Sequence, residues 1–356
     1  MNIKRVITCL LFTCLLLVLC GCSKNKFSKY DVCLITDQGT IEDGSFNEAS
    51  YDGVKKFCDE CGMKYSYIVP ETFSVSGYEA SMIEAIDNGA KILICPGYMH
   101  ETAVYNQAKK HPDVKFVLID GEPHDEDYED YSISENVLPI LFAEEDAGFL
   151  AGYAAVREGF TNLSFIGGMA EDPVVRYGYG FVQGADFASI ELGSKISIDY
   201  IYSGTYSEDD NIYQYAKDLY SNGTEVIFAC GGAMGRSVMK AAEEMDGHVI
   251  GVDVDQSRES TSVIFSATKE VEMAVYEALK SYLSDTFEGG YIKTYCAAEE
   301  GVGLAFTDSK FTHFSQIEYE AIYNELKSHE IVPYSNTDIG TTQELELINT
   351  TVNYKE

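Results

Sequence analysis

Short apolar runs of strand length recur along this chain at residues 31–36, 65–69, 92–95, 115–119, 163–166, 196–202, 225–230, 248–252 and 262–266. Amphipathic helical spacing fills most of the gaps between them. Alternation of this kind predicts βαβ units, in which a parallel sheet is covered by helices on both faces. The order of elements also repeats. Residues 88–120 (NGAKILICPGYMHETAVYNQAKKHPDVKFVLID) align with 222–253 (NGTEVIFACGGAMGRSVMKAAEEMDGHVIGVD), and FNEASYDG at 46–53 aligns with YGYGFVQG at 177–184 at almost the same offset. Shared βαβ grammar is the competing explanation, because Asn-Gly before a strand and an acid after one are both common. Two matches at nearly one offset favour an α/β fold of two similar Rossmann-like lobes, with parallel sheets, joined by a multi-crossover hinge.

The expected first lobe is 30–139 with 264–287, and the second is 140–263 with 288–350. The hinge is expected in crossover segments near 136–142, 262–268 and 288–291.

The amino terminus has a different pattern. Lys4 and Arg5 precede an apolar stretch from Val6 to Leu19, which is too short to span a bilayer and has the form of a secretory signal. It runs into Leu19-Cys20-Gly21-Cys22, which resembles a bacterial lipobox with Cys22 as the lipidated first mature residue. The expectation is a signal peptide over 1–21, a polar tether over 22–29, and a lipid anchor on the outer face of a bacterial cell membrane. An ordinary signal peptide or a transmembrane anchor is the alternative.

Charge narrows the partners. With 25 Lys and Arg against 58 Asp and Glu, the formal net charge is −33. Such a chain is a poor partner for nucleic acid or other polyanions.

The most informative stretch is TDQGTIEDGSFNEASYDG at 36–53, the loop leaving the first strand and entering a helix. The carboxyl edge of an open α/β sheet is where ligands sit. Asp37, Asp43, Phe46 and Asn47 offer acceptors, an amide and a stacking face but no phosphate cradle. The repeat supplies a second jaw: Phe46 corresponds to Tyr177, and Asp120 to Asp253. If the lobes face each other, two rings and two acids oppose one another across a cleft, a geometry suited to a flat ring with polar edges.

These residues carry a resemblance. The pattern D-x-G-x-x-x-D-x-S-F-N beginning at Asp37, the run GGMAEDPVVRYGYGF, the strand end GVDVDQ and the later SATKEVEMAVYEAL are similar to the basic membrane protein family. Its members are lipoproteins of the type I periplasmic-binding fold that deliver purine nucleosides to ABC transporters. The resemblance covers residues 30 to about 308. It implies a monomeric, non-enzymatic receptor with no cofactor, a purine nucleoside ligand, an ABC permease as partner, and membrane contact through lipid only. It further implies that Phe46 and Tyr177 stack on the base, that Asp37 and Asn47 bind near the opening loop, and that Asp120, Asp253 and Lys269 hold the base edge and ribose hydroxyls. Gly231 gives close backbone approach. Tyr177 departs from the phenylalanine of many members, keeping the stacking face and adding a hydroxyl. On sequence alone Lys269 also reads as a solvated residue opening a helix, and a sensor of the same architecture for a sugar or small signal remains open.

Other signals are weak. Cys58 and Cys61 form C-x-x-C at the end of a helix closed by Gly62, where a structural or incidental disulfide is a better reading than redox or metal chemistry. The run HDEDYEDY at 124–131 lacks calcium-ligand spacing. GGAMG lacks the dinucleotide-binding spacing, and no G-x-S-x-G or paired His motif supports hydrolysis or metal binding.

Overall fold

The computed structural model describes residues 28–355; Cys22 and most of the expected tether lie outside the described residues. All nine apolar runs are strands, distributed over two sheets. The first lobe holds β1 (Val32–Ile35), β2 (Tyr65–Ile68), β3 (Ile92–Pro96), β4 (Lys115–Ile119), β5 (Val137–Phe142) and the late strand β11 (Lys293–Tyr295). They lie in the order β11-β5-β4-β3-β1-β2 and are all parallel. The second holds β6 (Asn162–Gly167), β7 (Ile196–Tyr202), β8 (Val226–Cys230), β9 (His248–Asp253), β10 (Val263–Lys269), β12 (Val302–Leu304) and β13 (Thr350–Tyr354). Their order is β12-β10-β9-β8-β6-β7-β13, and only the β10–β12 pairing is antiparallel. Two sheets that share the order of five of their strands, each flanked by helices, make this a type I periplasmic-binding fold.

The internal repeat has a packing cause. Helices α1 (Phe46–Cys61) and α5 (Asp172–Leu192) occupy equivalent places after the first strand of each lobe. Each is covered by a helix that has just crossed from the other lobe: α8 (Val271–Leu283) lies on α1, and α4 (Glu144–Glu158) lies on α5. A Cβ on Gly53 would stand 2.6 Å from the Glu272 carbonyl oxygen, and one on Gly184 would run into the Phe149 carbonyl. The paired glycines therefore mark close helix contacts.

The crossings differ from the expected hinge. Residues 137–142 are β5 and 263–269 are β10, each laddered into its sheet by two neighbouring strands, so the chain changes lobes just after them, at Ala143 and at Glu270. Residues 264–269 consequently lie in the second sheet, and the stretch leading into β11 stays with the first. The third crossing is 296–301, between β11 and β12. A strand bonded on both sides cannot absorb a hinge rotation, whereas the short segment beyond it can. Backbone bonds set the crossings side by side, Ala143 N–H to Tyr295 O at 3.0 Å and Glu270 N–H to Gly301 O at 2.8 Å.

The tail after residue 308 forms α9 (Gln316–Lys327) and then β13, held against α5 by Asp186, which accepts the N–H groups of Ile348, Asn349 and Thr350. All six cysteines among the described residues are free. The C-x-x-C disulfide is absent because α1 turns Cys58 into the core and Cys61 toward solvent. No helix among the described residues is long and apolar enough to cross a membrane.

Candidate ligand-binding cleft

Between the carboxyl edges of the two sheets lies a cavity of about 400 Å³, within the size range of small-molecule sites. Asp37, Phe46, Asn47, Asp120, Tyr177, Gly231, Asp253 and Lys269 all line it. The two strand-end acids are equivalent in backbone as well as position. Asp120 has φ +57° and Asp253 φ +66°, a left-handed conformation uncommon outside glycine.

The opening loop is braced from within. Asp43 accepts the N–H groups of Ser45, Asn47 and Glu48, which caps α1 in place of the Ser45 hydroxyl. The Asn47 side-chain amide donates to Asp37 Oδ1 at 2.8 Å and to Asp43 Oδ2 at 2.9 Å, and its oxygen accepts the Asp37 N–H at 3.2 Å. Asn47 is thereby committed to shaping the loop. Asp37 Oδ1 also accepts the Gly39 N–H at 2.6 Å, leaving Oδ2 without a protein donor. Burial pushes the Asp37 carboxyl up to about 6, with the Gly39 and Asn47 donors pulling the other way.

Lys269, at the end of β10, organises the opposite wall. Its Nζ bonds to Asp120 Oδ2 and to Glu144 Oε1 (3.2 Å) and lies 3.8 Å from Asp253 Oδ1. The same nitrogen stands 4.7 Å from the centroid of the Phe46 ring and 5.9 Å from that of Tyr177. The rings thus come from opposite lobes and flank one cation. Burial opposes the ammonium, but the carboxylates of Asp120, Glu144 and Asp253 outweigh it and hold Lys269 charged. Burial raises Asp120 to about 7 against the pull of Lys269, and leaves its Oδ1 without a hydrogen-bond partner; the Tyr177 hydroxyl is likewise buried and unpartnered.

The cleft is closed by contacts across it. Ser45 Oγ donates to Asp253 Oδ2 at 2.6 Å, Gln256 Nε2 donates to Gly44 O at 3.0 Å, and Arg236 Nη2 donates to Glu42 O at 3.2 Å. At the mouth, Tyr98 of the first lobe donates from its hydroxyl to Met169 Sδ of the second at 3.4 Å, and Tyr206 lines the wall nearby. Gly231 abuts Gly168, where a Cβ would stand 2.9 Å from the Gly168 backbone nitrogen. Its lack of a side chain serves packing between two turns as well as access.

Sequence reasoning missed Glu144, Arg176, Tyr98 and Tyr206. Arg176 sits beside Tyr177 in a run already singled out, and Tyr98 and Tyr206 occupy carboxyl-edge loops, so position alone was a signal. Glu144 carried none, because only the first crossing brings it to Lys269.

A family described as PnrA-like ABC transporter substrate-binding proteins, Bmp, matches residues 31–337. The chain belongs to this family. Basic membrane protein A of Borreliella burgdorferi is 30% identical over 312 residues, covering 86% of this chain and 88% of that one. The ABC transporter nucleoside-binding protein BmpA of Lactococcus lactis subsp. cremoris is 29% identical over 323 residues, covering 82% and 88%. Among solved structures, an ABC transporter solute-binding protein from Aeropyrum pernix K1 superposes with TM-score 0.77 at 21% identity, over 88% of this chain and 95% of that one. One from Conexibacter woesei gives 0.68 at 19%, over 86% and 99%. This Bmp-family protein is thus an ABC transporter substrate-binding protein of the type I periplasmic-binding fold.

Proposed function

We propose that the cleft binds a purine nucleoside for uptake, with the protein tethered to the outer face of the cell membrane through Cys22. The observation that carries this reading is one cavity lined by an aromatic ring from each lobe, Phe46 and Tyr177, while Asp37 Oδ2 and Asp120 Oδ1 stand without protein donors. A purine between Phe46 and Tyr177 gains stacking from both lobes. Its amino and ring N–H groups and the ribose hydroxyls are donors, and the free carboxylate oxygens are acceptors.

Phosphate is disfavoured by the same inventory. The two cations on the cavity wall are already engaged, Lys269 by three carboxylates and Arg236 by Glu259 at 3.0 Å. A phosphoryl group would meet the carboxylates of Asp37, Asp120 and Asp253 as like charges. The nucleoside-binding description of the Lactococcus relative supports the same ligand class.

The test is a thermal-shift panel on the purified protein. Adenosine, guanosine or inosine is expected to raise the melting temperature, and their monophosphates to do so little. Stabilisation by free sugars or nucleotides with none by nucleosides overturns the reading.

A further inference from the structure

Behind Lys269 runs a chain of charges that the ligand does not reach. Glu144, the first residue of α4, is fully buried; its Oε1 faces Lys269 and its Oε2 accepts from Arg176 Nε at 2.6 Å. Arg176, on α5, is itself only 12% exposed in its side chain and stands 3.9 Å from Glu145 and 4.0 Å from Asp172. Glu144 follows the first crossing at once and Lys269 precedes the second, so the chain Arg176–Glu144–Lys269–Asp120 runs from the second lobe to the first beside the hinge.

Lys269 is contested. Two buried carboxylates, Asp120 and Glu144, share one ammonium, with Asp253 third at 3.8 Å. Without compensation the wholly buried Glu144 would be the stronger claimant, since a charge in low dielectric is costly to leave unpaired. We propose that Arg176 is a positioning residue for ligand binding: by pairing with Glu144 it leaves Lys269 to engage Asp120 Oδ2, which fixes the Asp120 carboxyl group and leaves its Oδ1 free for the ligand. The inference rests on the nucleoside reading of the cleft, and it concerns residues that do not line the cavity.

The groups that bear on Asp120 and Lys269 are Glu144 from α4, Arg176 and Tyr177 from α5 and Asp253 from β9; Glu145 and Asp172 stand against Arg176, and Asp37 and Asp43 of the opening loop bear on Asp253 and on each other. Arg176 supplies a second positive charge, after Lys269, that bears on Asp120. Its removal shifts Lys269 toward Glu144 and raises the pH at which Asp120 ionises.

The test compares nucleoside affinity by calorimetry from pH 6 to pH 9 in the wild type, Arg176→Met, Arg176→Lys and the double variant Glu144→Gln/Arg176→Met. Arg176→Met is expected to bind at least tenfold more weakly at pH 7 and to recover part of that loss by pH 9. Arg176→Lys is expected to restore most of the affinity. The double variant, which removes the orphaned acid together with its partner, is expected to bind within a few-fold of the wild type and serves as the decisive comparison if Arg176→Met does not fold. Wild-type affinity and pH profile in Arg176→Met, or a double variant that folds but binds no better than tenfold below the wild type, overturns the inference alone. A wild-type protein that binds no nucleoside overturns both this inference and the functional reading.

Discussion

Asp37 and Asp120 each commit one oxygen to the protein and hold the other back, whereas Asp43 commits both and Asp253 keeps its second oxygen near Lys269. Asp37 gives Oδ1 to Asn47 and Gly39, Asp120 gives Oδ2 to Lys269, and Asp253 gives Oδ2 to Ser45. The division makes binding sensitive to pH, because a protonated carboxyl loses acceptor capacity. With Asp37 raised to about 6 and Asp120 to about 7, nucleoside affinity is expected to fall at least tenfold from pH 7.5 to pH 5, in two overlapping steps. Asp37→Asn is expected to remove the lower step and leave a limb of unit slope, measured by calorimetry across that range; an unchanged two-step limb refutes the role given to Asp37. The unliganded fold responds with the opposite sign. A carboxyl raised on folding binds its proton more tightly in the native state, so its contribution to stability is full below the unfolded value near 4 and is lost as pH rises through 6 to 7. The same residues show how sequence and structure share the work. Phe46, Asp37 and the Asp120–Asp253 pair were legible because they sit at motif positions after strands. That Asn47 is consumed inside the loop and that Lys269 is shared by three carboxylates was not legible, since both depend on distances between groups far apart in the chain.

Among the elements, α4 and α5 matter most, for they carry Glu144, Arg176 and Tyr177 within their first two turns. Their spacing is set by small residues at the contact. Gly184→Val is expected to force the helices apart and to cost about 1–3 kcal/mol of stability in denaturant titration, the usual penalty of overpacking. Because the same helix holds Arg176 and Tyr177 about two turns upstream, nucleoside affinity is expected to fall in parallel; an unchanged midpoint with unchanged affinity contradicts this coupling. Of the nine strands readable from apolar runs, most are covered on both faces, while β2 and β7 are partly exposed. Strands β5, β11, β12 and β13 were not: β5 carries a proline within LPILF, β11 and β12 span three residues each, and β13 is a partly exposed edge.

At the scale of the molecule, two lobes meet at three adjacent crossings and are held shut by a few polar contacts on the cleft side. Ser45 to Asp253 and Gln256 to Gly44 are bonds that opening must break. Ligand closes such a receptor only through contacts made better in the closed state. Ser45→Ala combined with Gln256→Ala is expected to favour the open form: a larger radius of gyration in solution scattering without ligand, return to the wild-type value at saturating nucleoside, and several-fold weaker affinity. Identical scattering and affinity in the two proteins removes these contacts from the closing equilibrium.

The sequence by itself determined the α/β class, the duplication, the family and eight of the residues that line the cleft. It could do so because buried strands, glycine contacts between helices and ligand groups at strand ends leave local patterns. Only the tertiary structure decided where the chain crosses between lobes, which oxygen of each acid remains free, and that Glu144 and Arg176 stand behind Lys269. Those facts arise where the two sheets face each other, and the residues that meet there are up to 212 positions apart in the Gly44–Gln256 pair, beyond the reach of any local pattern.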